Sequence, residues 1–127
     1  MRQHTSFIFT AFLFFLFALY SNLHISRDVL TVAFLDVGQG DAIFIETPSG
    51  KQMLIDGGAG RAVLSELSGV MPFFDRSIDV VLNTHPDKDH IGGLPDVFEN
   101  YNVALVIDPA VPMEKASYEE YEKDITL

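Results

Sequence analysis

Short apolar runs between turn-forming residues occupy the first half of the chain after residue 28. Val29 to Val37, Ala42 to Thr47 and Gln52 to Asp56 are rich in β-branched and apolar residues, and each run ends at a turn rich in glycine, proline or serine. These patterns predict three strands. Because the turns between them are short, we expect the strands to form an antiparallel meander.

Helical spacing follows the third run. Between Gly60 and Phe74 the apolar residues recur every three to four positions, which predicts a helix. The remaining patterns predict a strand over Ile78 to Asn83, a short helix over Leu94 to Tyr101, a strand over Val103 to Ile107 and a helix with an acidic face over Met113 to Ile125. Hairpins followed by strand and helix alternation predict an α/β fold with a mixed sheet.

The N-terminal segment has a different pattern, because from Phe7 to Tyr20 every residue except Thr10 is apolar. With no polar face, a buried globular helix is disfavoured. Uncharged flanks extend the run toward the ~20 residues that a bilayer requires. We predict a membrane anchor or signal segment over residues 1–27, in contact with the membrane through residues 7–25. Ala18 to Ser21 is a poor cleavage site, which favours an uncleaved transmembrane helix over a secretory signal peptide.

The composition of the whole chain limits the kinds of binding and chemistry expected of the remaining domain, residues 28–127. A formal net charge of −10 does not favour binding to a nucleic-acid backbone, since such binding depends on the positive charges of Lys and Arg. The chain has no cysteine, which excludes disulfides, thiolate ligands and cysteine nucleophiles. Any metal ligands must therefore be imidazoles or oxygen atoms.

The strongest chemical signal lies directly after the predicted strand Ile78 to Asn83. His85, Asp87, Asp89 and His90 place two imidazoles and two carboxylates within six residues. In an extended loop, alternate side chains point the same way, so His85, Asp87 and Asp89 would converge and His90 would add a fourth ligand. This donor set suits a divalent ion. The sequence therefore predicts a metal site at the end of a strand, where α/β sheets usually bind ligands.

The residues around these four favour a non-helical loop with a defined backbone conformation. Pro86 disfavours helical geometry at the preceding residue, and Gly92 and Gly93 permit positive φ and close approach. The alternative is that both acids are solvated and Asp89 caps the following helix. That interpretation leaves the two histidines unexplained.

Two further acids follow other strands. Asp56 would hold a histidine ligand by a hydrogen bond, or would be a simple turn residue before two glycines. The turn from Gly38 to Asp41 is typical of a hairpin. Alternatively, its polar residues would border the metal site, and in that case Asp41 is the preferred candidate over Gln39. Both alternatives stay open for each acid.

Three segments together carry a family resemblance: Phe34 to Ala42, Leu54 to Gly58 and Thr84 to Gly93. They resemble the metallo-β-lactamase superfamily, and more closely its ComEC-type branch, the domain found in bacterial DNA-uptake (competence) membrane proteins. The resemblance covers about Val29 to Pro109. Asp87 replaces the second histidine of the superfamily's His-x-His-x-Asp-His loop, and the ComEC-type branch shares that substitution.

The resemblance implies an αββα sandwich with two divalent metal ions, zinc or manganese. His85 and Asp87 would bind the first ion, and Asp89 and His90 the second, with Asp89 also orienting a catalytic water. The carboxylate of Asp87 shifts the preference toward manganese or magnesium. The family's later ligands have no counterpart here, so we expect the chain to hold the N-terminal portion of the domain and an incomplete site.

The function expected from the resemblance is a metal-dependent hydrolase acting on phosphodiesters such as DNA. Arg2 before the apolar run weakly favours a membrane-anchored domain outside the bacterial cytoplasm, secreted if the segment is cleaved. The second hypothesis is a truncated, non-catalytic metal-binding or interaction module. No feature of the sequence predicts a protein partner.

Overall fold

A computed structural model describes residues 2–23, 28–109 and 123 of the chain. An N-terminal helix is followed by strands and helices that alternate after the third strand. In chain order the elements are α1 (Arg2–Leu23), β1 (Thr31–Phe34), β2 (Ile43–Glu46), β3 (Gln52–Ile55), α2 (Ala62–Val70), β4 (Ser77–Leu82), α3 (Lys88–Ile91), α4 (Leu94–Asn100) and β5 (Asn102–Ile107).

The five strands form one mixed sheet in the order β1-β2-β3-β4-β5. The first two pairings are antiparallel and the last two are parallel. Because parallel strands need a crossover connection, α2 joins β3 to β4, and α3 and α4 join β4 to β5. The predicted meander and mixed α/β sheet are confirmed. The carboxyl ends of β3, β4 and β5 consequently share one edge, where the candidate site lies.

The hydrophobic core lies between the sheet and the helices. Val63 and Leu67, one helical turn apart on α2, are fully buried, as their spacing predicted. The other fully buried apolar residues are Phe44, Leu54, Ile78 and Val81 from the strands and Ile91, Leu94 and Val97 from α3 and α4. The described residues thus form one sheet with helices on one face. A second sheet, as in the expected αββα sandwich, is not among them.

The apolar N-terminal segment is helical, as α1 over Arg2–Leu23. Nowhere in the described part of the chain is a helix long and apolar enough to cross a membrane. The predicted span over residues 7–25 also reaches into residues 24–27, which lie outside the described ones. The membrane anchor is therefore a prediction that the structure does not support.

Two of the predicted elements differ from the structure. The first strand is shorter than its apolar run. The strand ends at Phe34; Leu35 N–H still donates to the carbonyl of Ala42, and then Val37 N–H donates to the carbonyl of Leu35 in a tight turn. A helix, α3, occupies the stretch predicted to be an open loop. The predicted helix over residues 113–125 lies outside the described residues, apart from Lys123.

Two glycine pairs, Gly57-Gly58 after β3 and Gly92-Gly93 after α3, allow the two backbone segments to lie directly against each other. A Cβ atom at Gly93 would lie 2.2 Å from the carbonyl oxygen of Gly57, and the Gly93 N–H donates to the carbonyl of Gly58 at 3.0 Å. The predicted close approach at Gly93 is present. The predicted positive φ is not, since φ is −62° at Gly92 and −94° at Gly93; Gly58 has φ +65° instead.

Candidate metal centre

Three chain segments meet at the carboxyl edge of the sheet. Asp56 directly follows β3, His85 lies in the loop after β4, and His90 lies in α3. The Asp56 N–H donates to the carbonyl of Leu82 at 2.9 Å, and the Gly57 N–H donates to the carbonyl of His90 at 2.7 Å. These backbone hydrogen bonds fix the ends of β3, β4 and α3 relative to one another.

Asp56 is the buried centre of the group. It is 3% exposed and has φ +57°, a left-handed conformation that Asp and Asn tolerate better than most residues. Its carboxylate accepts three hydrogen bonds: from Thr84 N at 2.8 Å, from Thr84 Oγ1 at 2.6 Å and from His90 Nδ1 at 2.8 Å. Because both carboxylate oxygens are already engaged, Asp56 is built to orient a histidine.

The two imidazoles stand side by side, with ring centroids 3.7 Å apart. The Nδ1–H of His90 donates to Asp56, and Nδ1 of His85 is 2.9 Å from Thr84 Oγ1. With both Nδ1 atoms engaged, each ring has its Nε2 atom left for a metal ion. Donor atoms of Asp56, His85 and His90 all lie within 4.8 Å of one another, a spacing that a single ion can bridge.

The two remaining predicted ligands, Asp87 and Asp89, do not belong to this converging group of described residues. Asp87 Oδ2 is 3.7 Å from His85 Nε2, and both side chains are about half exposed. Asp89 lies in the first turn of α3, so the expected alternation of His85, Asp87 and Asp89 along an extended loop is wrong. The physical reason is that the helix starts at Lys88 and turns Asp89 away from that line.

The alternative in which Asp89 caps a helix is also wrong. The residue before α3 is Asp87, whose side chain makes no cap hydrogen bond, and the residue before α4 is Gly93. Neither acid is needed to begin a described helix. Their roles as metal ligands stay predictions.

A cavity of about 330 Å³ is lined by Gln39, Ala59, Lys88 and Asp89, the last two from the same short helix as His90. The turn from Gly38 to Asp41 reaches it because a Cβ atom at Gly40 would lie 1.6 Å from the carbonyl oxygen of Asp89, a contact that only glycine allows. Gln39 lines the cavity. The side chain of Asp41 is exposed, and its backbone carbonyl accepts from Gly58 N at 3.0 Å.

Sequence reasoning missed three polar residues at this edge. Thr84 connects Asp56 to His85 through its hydroxyl. Asn83 is 2% exposed, its Nδ2 donates to Asp108 Oδ2 at 2.9 Å, and its Oδ1 has no partner among the described residues. All three directly follow β4 or β5, and that position was the available signal.

The donor set fits a divalent ion, since two oriented imidazoles and an adjacent carboxylate converge where three parallel strands end. A comparison with protein-family models agrees: the model of the metallo-β-lactamase superfamily matches residues 35–123, more than half of the chain. The chain belongs to the metallo-β-lactamase superfamily. A comparison with curated proteins finds no match.

Solved structures of metallo-β-lactamases have a similar fold. Two structures of the metallo-β-lactamase SMB-1, one bound to 2-mercaptoethanesulfonate and one in complex with mercaptoacetic acid, are each 20% identical to this chain with a TM-score of 0.50. Each match covers 58% of this chain and 29% of the SMB-1 chain. At this identity the similarity shows the fold alone. The part of this superfamily member that matches corresponds to less than a third of the length of those enzymes.

Proposed function

We propose that this chain supplies the metal-binding part of a metal-dependent hydrolase of the ComEC-like branch, whose substrate is a phosphodiester such as DNA. The observation that supports this most directly is the network from Asp56 through Thr84 to His85 and His90, which orients two imidazoles at the carboxyl ends of parallel strands. Core packing does not explain this network of hydrogen bonds, because the side chain of His85 is about half exposed.

Different residues of the chain have different roles in such a site. The Asp56 carboxylate holds the proton of His90 on Nδ1 and so keeps Nε2 free, while Thr84 fixes the ring of His85. Asp87 and Asp89 add carboxylates, which favour manganese or magnesium relative to an all-histidine zinc site. When bound, a divalent ion activates water at neutral pH and offsets negative charge on the substrate.

The substrate class rests on two features. The three segments that resemble the ComEC-type branch support a phosphodiester, and Lys88, two residues before His90, places a positive charge at the wall of the cavity. The net charge of −10 opposes a long polyanion. We therefore expect hydrolysis to require divalent ions, which supply positive charge that offsets the acidity of the chain.

The test compares substrates from different classes. The chain would be incubated with Mn²⁺ or Zn²⁺ and with bis(p-nitrophenyl) phosphate, linear DNA or a chromogenic β-lactam, each beside the His90→Ala variant. We expect phosphodiester cleavage that the variant lacks. Cleavage of the β-lactam without phosphodiester cleavage would overturn the proposed substrate class.

A second candidate is a non-catalytic metal-binding module. It is supported by the small converging donor set of the described residues, which is Asp56, His85 and His90, with both Asp56 oxygens already accepting hydrogen bonds. Metal binding that depends on His90, without turnover of any of the three substrates, would support this module over the hydrolase.

A further inference from the structure

A tight turn between α2 and β4 carries two phenylalanines, Phe73 and Phe74, which we call the aromatic tip. The Asp75 N–H donates to the carbonyl of Pro72 at 2.9 Å, which closes a β-turn with the two phenylalanines at its central positions. Phe73 is 88% exposed and Phe74 is 67% exposed. Central turn positions usually hold small or polar residues such as glycine, asparagine or serine. Turn chemistry therefore does not explain the two protruding rings, and a pair of this kind indicates a binding surface.

The charged residues next to the aromatic tip are engaged with the body of the domain. The carboxylate of Asp75 accepts hydrogen bonds from Gln52 Nε2 at 2.8 Å and from Ser77 Oγ at 2.7 Å. The guanidinium of Arg76 lies 5.4 Å from the ring centroid of Tyr101 and donates to the Tyr101 hydroxyl at 3.2 Å. The two rings can therefore enter an apolar environment without taking these charges out of water, which would be costly.

The aromatic tip lies at the edge of the sheet where the chain arrives from α1. It precedes β4, so it lies at the amino end of that strand, opposite the metal centre. Since β1 and β3 are each antiparallel to β2, and β3 is parallel to β4, β1 begins at this same edge. Three strand spacings of ~4.8 Å, or about 14 Å, separate the starts of β1 and β4. Val29 and Leu30, directly before β1, add two exposed apolar side chains at this edge.

The helix that leads to this edge is apolar as well. After Arg2, α1 contains no Asp, Glu, Lys or Arg. Four of its phenylalanines are more than half exposed: Phe9, Phe12, Phe14 and Phe15. Thr31 follows Leu23 by eight residues, which reach at most about 28 Å when fully extended, so α1 is tethered near the edge that carries the aromatic tip. A lipid surface accepts a helix and a turn together without matching their shapes, and this favours lipid over a pocket in a partner protein.

We infer that the aromatic tip inserts into the surface of an electrically neutral lipid bilayer. Aromatic side chains are favoured at the boundary between headgroups and acyl chains. The net charge of −10 disfavours a bilayer of anionic lipids, so a zwitterionic headgroup such as phosphatidylcholine fits better. The contact requires no membrane-spanning helix. It also lies outside the metal centre, so it does not depend on the proposed hydrolase activity.

This contact would set the direction in which the metal centre faces. The strand β4 runs from the edge of the aromatic tip to the edge of the metal centre, and its six residues span about 20 Å. With the strands upright on the bilayer, Asp56, His85 and His90 would lie about 20 Å from the lipid surface, on the side that faces water. A substrate would then reach the metal centre from the aqueous phase.

The first test uses the absence of tryptophan from the chain. Phe73→Trp places one tryptophan in the aromatic tip, and Phe34→Trp places one at the exposed last residue of β1, at the edge of the metal centre. Each full-length variant would be mixed with phosphatidylcholine vesicles, with and without brominated acyl chains. We expect emission at shorter wavelength and strong bromine quenching for Phe73→Trp, but much weaker quenching for Phe34→Trp. No quenching of Phe73→Trp, or equal quenching of the two variants, would overturn the inference.

The second test separates the aromatic tip from α1. The unmodified chain, Phe73→Ser/Phe74→Ser and Phe34→Ser would be sedimented with phosphatidylcholine vesicles, with circular dichroism to verify folding. Serine suits turn positions, so the double substitution should preserve the fold. It should weaken vesicle binding by about tenfold or more, because two apolar rings no longer leave water, whereas Phe34→Ser should leave binding nearly unchanged. Equal binding by the unmodified chain and the double variant would contradict insertion of the aromatic tip.

Discussion

At the scale of single residues, the site depends on one buried carboxylate. Asp56 links β3 to both histidines, directly to His90 and through Thr84 to His85. The sequence indicated the histidines, because two imidazoles in six residues have no other ready explanation. It left Asp56 undecided and missed Thr84, since a hydroxyl gains its role only when distant strands bring its partners within reach.

Asp56→Asn should weaken metal binding about 10- to 100-fold, the usual effect of losing a partner that orients a ligating histidine. Asn tolerates the left-handed backbone at this position, so the change removes charge and one acceptor without added backbone strain. Titration calorimetry with Mn²⁺ and Zn²⁺ would measure the change. Asp36→Asn, an exposed acid before the turn at Gly38, is the matched control and should leave the affinity unchanged.

At the scale of elements, the strands and the two longer helices of the domain could be predicted because alternation and helical spacing follow directly from burial on one face. The helix α3 could not. Four residues form only one turn, and Lys88 to Ile91 have no apolar periodicity; the turn is held by tertiary contacts, including the Gly57 hydrogen bond to His90. That short helix decides where Asp89 lies.

The contact between the two glycine pairs can be tested with a matched pair of alanine substitutions. Gly93→Ala should lower the free energy of unfolding by about 1 to 3 kcal/mol, because the new Cβ would meet the backbone of Gly57 and Gly60. Gly69→Ala, in α2 with open space around the new Cβ, should raise it by about 0.5 to 1 kcal/mol. Denaturant unfolding measures both values, and an equal effect would contradict the close approach.

At the edge opposite the metal centre, β3 and β4 are joined by Asp79. The Lys51 ammonium, 2.7 Å away, and the Gln52 N–H lower the pKa of Asp79 by hydrogen bonding. At the neighbouring Asp75, burial would raise the pKa, but hydrogen bonds from Ser77 and Gln52 together outweigh it and the pKa is lowered. Both carboxylates therefore stabilise the fold in their ionised form.

A lowered carboxyl pKa gives stability that is present at neutral pH and is lost as pH falls through the lowered value. Asp79→Asn should thus destabilise the protein at pH 7 by less than about 1 kcal/mol, because the partner Lys51 is largely exposed. Near pH 3 the difference from the unmodified protein should become smaller. Thermal unfolding at both pH values measures it; a difference that grows at low pH would contradict the assignment.

At the scale of the whole molecule, the described residues form one five-stranded mixed sheet whose buried core faces α2, α3 and α4. This fold agrees with the superfamily match over residues 35–123 and with the SMB-1 structures, of whose chains the match covers 29%. The sequence predicted the antiparallel meander and a mixed sheet, but not the order of the last two strands. It did not predict which residues of neighbouring strands stand side by side, since that depends on register, which the turns alone did not reveal.

The central claim is that Asp56, Thr84, His85 and His90 form a metal centre. The most direct measurement is titration calorimetry of Mn²⁺ and Zn²⁺ into the full chain and into His90→Ala, with circular dichroism to verify folding. We predict saturable binding that His90→Ala weakens by more than about 100-fold, beyond the loss of an orienting partner alone. Equal affinity in the two proteins, or no binding by the unmodified chain, would contradict the claim.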